Sequence, residues 1–477
     1  MITGSEMAVV DANAAALGVP RKQLMESSGN AIARTARQLA EAGDSVTIVA
    51  GRGNNGGDAL VAARFLDEFD PRIRLLGRAE TITTEIAREN WDALQRCAYD
   101  TTEVRDSTAV DVGDPDLVVD AMLGTGISGS LREPAATAAR AINDSDAVVL
   151  SVDVPSGLDA ETGDLADNAV DPDHVVTFHD TKPGLGDLDA PVTIAEIGIP
   201  DAAQSFVERG DLLRLSRDPQ SHKGDHGEVL VVGGGPYAGA PALTAQAALR
   251  AGADLVRVAC PTAVADEVQG YSENLIVRPF EGRHFEPEHV DALAALASDH
   301  DALVVGPGLG DDEASLDAAS VLLERVDGTV VVDADALQVV PDVHTDAELI
   351  CTPHQGELIK MGGGTADDWR ERRGLVESFA AEIGHTLLVK GAADVISDGE
   401  TTRVSRTGNP GMTVGGTGDV LAGVTGAFAA TQRPIHAAAM AAFVNGRAGD
   451  IVYEKHDYGL VATDLVDAIP AAKQPDE

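Results

Sequence analysis

The 477-residue chain is too long for one ordinary core, so two or three domains are expected. Its 78 acidic against 35 basic residues give a net charge of −43, which argues against non-specific nucleic-acid binding and against docking on an anionic membrane. No apolar run reaches membrane length, and the opening MITGSEMAVVDANAAALGVP has neither a basic n-region nor a secretory h-region, so the expectation is a soluble, cytoplasmic protein.

Residues 1–40 carry a helical pattern, with Met7, Val10, Ala14 and Leu17 on one face and Leu24, Met25, Ala31 and Ile32 on another, broken at Pro20. SVTIVAGRGNNGGDALVAARFLDEF then reads as strand, glycine turn and helix. IRLLG is a short strand, Thr81–Tyr99 is helical, and LVVDAMLGTGISGSLREP is a third strand with a glycine loop before the helix Ala135–Asn143. AVVLSVDVPSGLDAETG, HVVTFHDTKPGL and PVTIAEIGIP continue the series. Strands and helices alternate, so a Rossmann-like, doubly wound, mostly parallel sheet is predicted for residues 1–210.

Residues 205–225 gather charge and turn residues, and a linker is placed at 211–219. The pattern restarts at GEVLVVGGG, with an alanine-rich helix Ala240–Gly252. DLVRVACP, ALVVGPGLG, TVVVDADAL, AELICTPHQGELIKM and HTLLVKGAADVISDG supply further strands, the last with a hairpin turning near Asp398–Gly399. GNPGMTVGGTGDVLAGVTGAFAA follows, then helices over Ile435–Tyr453 and Thr463–Ile469, giving a second α/β domain over 220–477.

The stretch Gly408–Ala430 sets glycines, a threonine and a carboxylate in front of a small, apolar helix. Gly415, Gly416 and Gly418 let backbone N–H groups converge on an anion, and the helix N-terminus adds its dipole. Asp419 reads either as a helix cap or as a proton acceptor for a hydroxyl that a phosphate is about to join. In the first domain, Asn54 and Asn55 of GRGNNGGD offer a turn suited to a sugar, a phosphate or a monovalent cation, or else merely tolerate left-handed backbone. The loop Gly124–Ser130, Asp120, Asp153 and Ser156 belong to successive strand ends that meet over one crevice. Lys182 either completes that site or forms a salt bridge across it.

Seven lysines, Lys22, Lys182, Lys223, Lys360, Lys390, Lys455 and Lys473, against so many scattered acids resemble the composition of proteins from salt-accumulating halophilic archaea. The three cysteines, Cys97, Cys260 and Cys351, are widely spaced and read as buried reduced thiols.

GNNGGD, VVDAMLGTG, SVDVPSGLD and TFHDTKPGL, in this order, resemble the YjeF N-terminal domain of the NAD(P)H-hydrate epimerase family. The resemblance implies a hydrate site on Asn54, Asn55, Gly56, Gly57 and Asp58, on Gly124, Thr125, Gly126, Ile127, Ser128, Gly129 and Ser130, and on Asp153 as catalytic residue. It also implies a potassium ion on Asn55, Asp120 and Ser156. Ala59 stands where that family usually shows glycine.

The second domain, through HKGDHGEVLVVGGGPYAGAPALTAQAALRAGADLVRV, VVGPGLG, VVVDADAL, TPHQGELIKM, LLVKGAADVI and GNPGMTVGGTGDVLAG, is similar to the ADP/ATP-dependent NAD(P)H-hydrate dehydratase family of ribokinase-like fold. That resemblance implies Asp419 as base, Gly416, Thr417 and Gly418 around the transferred phosphate, and Lys390, Gly391, Ala392, Ala393 and Asp394 along the nucleotide. It implies Ala240, Gly308, His354 and Asp419 on the hydrate, and Mg²⁺ with ADP. Lys223 is open between a phosphate partner and a surface lysine, Asn409 between ordering the loop and reaching phosphate, and His226 replaces an aromatic common in relatives.

The expected function is repair of hydrated reduced nicotinamide cofactors: the first domain equilibrates the R and S forms of NADHX and NADPHX, and the second dehydrates the S form with ADP. The alternative is a ribokinase-type small-molecule kinase with a non-catalytic binding module. Small molecules are the expected partners, without nucleic acid or membrane, and a homo-oligomer is the expected assembly.

Overall fold

The structure, a computed structural model, describes residues 1–126 and 129–474. The chain forms two compact units, Met1–Ala203 and Gln204–Glu477. The division thus precedes the expected boundary at residue 210, and the expected linker 211–219 begins inside the second unit. Side chains explain the shift. Val207 N–H donates to Val404 O at 2.9 Å, and the Arg403 guanidinium donates to both Asp211 carboxylate oxygens at 3.0 and 2.9 Å and to Phe206 O at 2.7 Å. The first residue of the expected linker, Asp211, is thus held in one buried, bidentate pair.

The first unit holds one parallel sheet of β1 (Val46–Ala50), β2 (Arg72–Leu76), β3 (Asp100–Val104), β4 (Leu117–Ala121), β5 (Val148–Val152), β6 (His174–Phe178) and β7 (Val192–Ala195). The spatial order is β3-β2-β1-β4-β5-β6-β7. Alternation explains the layering: Val46, Ile48 and Ala50 enter a core with Leu24, Ile32, Leu60 and Trp91, while Val49 joins Ala136, Ala139 and Ile142 on the other face. Helices Arg21–Leu39, Asn54–Phe65 and Glu85–Arg96 therefore cover one face, and Ala135–Asn143 the other. The polar edge strand β3, sequence DTTEV, has no apolar pattern and is absent from the sequence reading. Strand order reverses between β1 and β4, which opens a crevice at their carboxyl ends.

The second unit holds β8 (Glu228–Val232), β9 (Leu255–Pro261), β10 (Ile276–Phe280), β11 (Ala302–Val305), β12 (Thr329–Val332), β13 (Glu348–Cys351), β14 (Thr386–Val389), β15 (Asp394–Ser397) and β16 (Thr402–Ser405). Their order is β10-β9-β8-β11-β12-β13-β14-β15-β16, parallel as far as β14 and antiparallel beyond it. The hairpin expected near Asp398–Gly399 joins β15 to β16. Val229, Val231 and Val304 pack under helices Gly239–Ala251, Thr417–Ala429 and Pro434–His456, while Leu230, Val232 and Val305 face Glu313–Leu323 and Trp369–Ile383. Among the described residues no helix is long and apolar enough to cross a membrane.

Candidate active sites

The crevice of the first unit is a cavity of about 1290 Å³. Asn54, Asn55, Gly56 and Asp58 line it from the start of helix Asn54–Phe65, Gly124, Thr125, Gly126 and Ser130 from the loop after β4, and Asp153 and Lys182 from beyond β5 and β6. The remaining predicted residues divide. Gly57 is buried against Met25, Gly129 lies outside the lining, and Ile127 and Ser128 lie outside the described residues. Gly56 is fixed by close approach, since a Cβ there would fall 2.1 Å from Gly51 O.

Asp153 has φ +66°, an uncommon backbone for a non-glycine residue that aims its side chain into the cavity wall. Its Oδ1 accepts from Thr177 Oγ1 at 3.0 Å and pairs with Lys182 Nζ at 3.0 Å. Lys182 is 1% exposed and also donates to Thr177 Oγ1, Phe178 O and Asp180 O at 3.0, 3.0 and 3.1 Å. Lys182 thus lines the cavity and bridges to Asp153. Burial, reinforced by the charges of Asp153 and Asp11, pushes the Asp58 carboxyl well above its ordinary value.

Asp120, at the end of β4, is fully buried and sits beneath the cavity rather than in its wall. Its carboxylate accepts from Ser151 Oγ at 2.9 Å, Ser156 N at 2.9 Å and Ser156 Oγ at 2.6 Å. Ser156 Oγ in turn accepts from Leu123 N, and Asn55 Nδ2 donates to Leu123 O at 2.8 Å, so Asn55, Asp120 and Ser156 form one connected group. Asn55 Oδ1 is buried with no hydrogen-bond partner. An orphaned amide oxygen beside a buried carboxylate and a hydroxyl is a donor set that suits a monovalent cation.

In the second unit, loops at the carboxyl ends of β8, β11, β12, β13 and β14 converge. Gly308 approaches the first turn of helix Gly239–Ala251, where an added Cβ would lie 3.3 Å from Ala240 Cβ. Asp333 follows β12 directly, is buried, and accepts from Thr352 Oγ1 at 2.7 Å and Lys390 Nζ at 3.1 Å. Lys390 N–H donates to Pro353 O at 2.9 Å, which joins the β14 end to the His354 loop. Burial alone would lower the Lys390 ammonium, but Asp333 and Glu357 outweigh it and hold its pKa above the usual lysine value.

The glycine stretch then delivers Asp419. Asn409 Oδ1 accepts from Gly411 N–H while its Nδ2 donates to Asp450 at 2.9 Å, so Asn409 orders the loop. Gly416 caps helix Thr417–Ala429 with φ +94°, a conformation that favours glycine, and an added Cβ would also meet Ala462 at 2.8 Å. Thr417 Oγ1 donates back to Met412 O at 2.9 Å, leaving its backbone N–H as what it offers an anion. A Cβ on Gly418 would lie 3.4 Å from Lys390 Nζ, so the helix N-terminus and the lysine face one space. Burial, then the Asp333 charge, push Asp419 up to about 7 against the pull of Lys390.

Other predicted residues settle differently. His354 is exposed and caps helix Gln355–Lys360, its Nδ1 accepting from Gly356 N and Glu357 N at 2.9 and 3.1 Å. It also lines a 230 Å³ pocket with Asp335, Glu357 and Lys360. Asp394, raised to about 7 by burial, accepts from Gly391 N–H, and Ala393 O accepts from the buried Arg372 at 2.7 Å. Gly391 and Ala392 are exposed, as is Lys223, and His226 bonds Ser221. Sequence reasoning missed Asp11, Asp333, Glu357 and Arg372. Asp333 alone carried a signal, as the first residue after a buried strand.

A family model described as NAD(P)H-hydrate dehydratase matches residues 229–471, and one described as YjeF-related protein N-terminus matches residues 21–184. The chain is similar to the bifunctional NAD(P)H-hydrate repair enzyme of Methanothermobacter thermautotrophicus, 43% identical over 98% of this chain and 95% of the relative. It is 42% identical to that of Archaeoglobus fulgidus over 99% of this chain and 98% of the relative. A solved ADP/ATP-dependent NAD(P)H-hydrate dehydratase from Bacillus subtilis, co-crystallised with ATP and Mg²⁺, aligns at TM-score 0.50 and 26% identity, covering 56% of this chain and 97% of its own. Two units with these geometries, each matched by its own model and both matched together along full-length relatives, place the chain in the family of bifunctional NAD(P)H-hydrate repair enzymes.

Proposed function

We propose that the first unit interconverts the R and S hydrates of NADH and NADPH and that the second returns the S form to the reduced cofactor with ADP as phosphate donor. Hydroxide leaves poorly from C6 of the hydrate. Transfer of a phosphoryl group to that oxygen makes a leaving group that the ring-nitrogen lone pair expels, restoring the dihydropyridine and releasing phosphate and AMP. Asp419 takes the proton of the attacking hydroxyl, and the amides of Gly416, Thr417 and Gly418 hold the transferred group. Lys390 faces the same space and offsets negative charge there. Ala240 and Gly308 form a close-packed wall for the hydrate, with His354 at its rim.

The observation that carries this reading is the place of Asp419: a half-buried carboxyl raised to about 7, on the first turn of a glycine-capped helix, within the field of Lys390. Magnesium, when it arrives with the nucleotide, neutralises phosphate charge. Among the described residues no group of three His, Cys, Asp or Glu side chains forms a cage for it, which suits a metal carried by phosphates. In the first unit Asn55, Asp120 and Ser156 would hold potassium, whose charge would order the loop after β4. Incubating the chain with mixed NADH hydrates, ADP and Mg²⁺ should regenerate NADH absorbance from both epimers. Accumulation of a phosphorylated hydrate without NADH would overturn the dehydratase reading.

A further inference from the structure

The helix Gly4–Ala16 precedes the matched residues 21–184, yet it forms part of the cavity wall. Gly4, Met7, Ala8 and Asp11, spaced three and four apart, all line the cavity, while Val9, Val10, Asn13 and Ala14 are buried behind them. Both ends of the helix are fixed. Thr3 and Glu6 form a capping box, and Asn13 Nδ2 donates to Ala203 O at 3.0 Å. The stripe is small or apolar except at Asp11, so the helix presents one carboxyl to the cavity from a rigid support.

Charged groups face Asp11 from several elements. Arg21 comes from the next helix, Asp58 from helix Asn54–Phe65, and Asp153 and Lys182 from the sheet edge. Arg52, Glu85, Arg132 and Glu133 also line the cavity. The lysine is already committed to Asp153. Epimerisation needs a proton delivered on one face of the reacting carbon and a proton taken on the other, and one carboxylate cannot do both in a single passage.

We propose that Asp11 is the second catalytic residue of the epimerase cavity, the acid that protonates the departing C6 hydroxyl while Asp153 accepts a proton on the opposite face. The proposal rests on the assignment of the first unit as an epimerase. The C6–O bond breaks, its electron pair leaves with the hydroxyl, and that group takes the Asp11 proton and departs as water. The ring-nitrogen lone pair forms the N1=C6 bond. A water then adds to the other face of C6, its proton passes to Asp153, and the π pair returns to nitrogen. One proton has moved from Asp11 to Asp153, and exchange of both carboxyls with solvent water resets the pair before the next R-form passage. Burial, opposed by Arg21, holds the Asp11 carboxyl at about 6, so a protonated fraction persists near neutrality.

The test uses the full chain with separated R and S hydrates, ADP and Mg²⁺, following NADH absorbance across pH. Asp11→Asn should leave S-form turnover unchanged, lower R-form kcat about 100-fold, and remove the fall in R-form activity above about pH 6. Asp11→Glu should restore R-form turnover with that fall displaced. If Asp11→Asn keeps both rate and limb, or if the limb disappears in Asp58→Asn instead, the proposal is overturned. Asp11→Glu with an unmoved limb overturns it too, independently of how well the Asn variant folds. A wild-type chain that consumes the S form but never the R form overturns the epimerase assignment itself, and the proposal with it.

Discussion

The Lys390 ammonium donates to Asp333 Oδ1 at 3.1 Å, and these two opposite charges pull the nearby Asp419 carboxyl in opposite directions. Asp333 raises it and Lys390 lowers it, on top of the larger effect of burial. The proposed base of the dehydratase site is therefore tuned by the Asp333–Lys390 pair.

The S-form reaction should accordingly rise with pH through about 7, because a base works only when ionised. Lys390→Met removes the lowering charge and keeps the raising one, so the rising limb of kcat/KM should move to higher pH. The same change strands Asp333 without its cation and should cost about 3 kcal/mol of stability in denaturant unfolding. A limb that stays in place would show that Lys390 does not tune Asp419.

Asp419→Asn should lower S-form turnover by about 1000-fold and leave the fold intact. Linkage gives this variant a second signature. A carboxyl raised from 3.8 to about 7 in the fold opposes folding above pH 7, and the penalty fades as pH falls from 7 towards 4. The Asn variant should thus be more stable than wild type at pH 8 and lose that advantage at pH 4, as thermal melts at the two values would show.

These residues differ in how legible they were. Asp120 and Asp153 sit at the ends of apolar strands and Asp419 at a helix start behind a glycine run, where local pattern and topology point the same way. Asp333 also follows an apolar strand, but its meaning lies in Thr352 and Lys390, which come from other strands. Asp11 lay on a helix read only for its apolar face. β3 and the half-exposed β10 are edge strands with little apolar alternation, and the stretch expected to be a linker, 211–219, hid the pairing of Asp211 with Arg403, far along the chain.

Asp153→Ala should stop R-form consumption and spare the S form, since only the first unit changes. It also leaves Lys182 buried without its carboxylate, although Thr177 Oγ1 and two carbonyl oxygens still accept from it. The expected destabilisation is about 2 kcal/mol, below the usual cost of breaking a buried pair. Asp153→Ala Lys182→Met should recover that loss without recovering R-form activity. Recovered activity in the double variant would remove Asp153 from the chemistry.

Salt should act on the chain in two separable ways. A net charge of −43 repels itself at low ionic strength, and molar salt shortens the screening distance to about 3 Å. Many of the ion pairs, such as Lys22–Glu89 and Arg325–Asp291, are exposed at both partners and supply little cohesion to offset that repulsion. Circular dichroism should therefore show structure lost on dilution from molar to millimolar salt, with NaCl and KCl equally protective. A cation held at the Asn55 Oδ1 orphan, as proposed, should add a cation-specific effect on top. R-form repair should be faster in KCl than in NaCl at equal ionic strength, and Asn55→Ala should erase that difference while leaving the general salt requirement in place. Equal rates in both salts for the wild type would rule out a selective ion at Asn55, and an unchanged spectrum on dilution would rule out the screening argument.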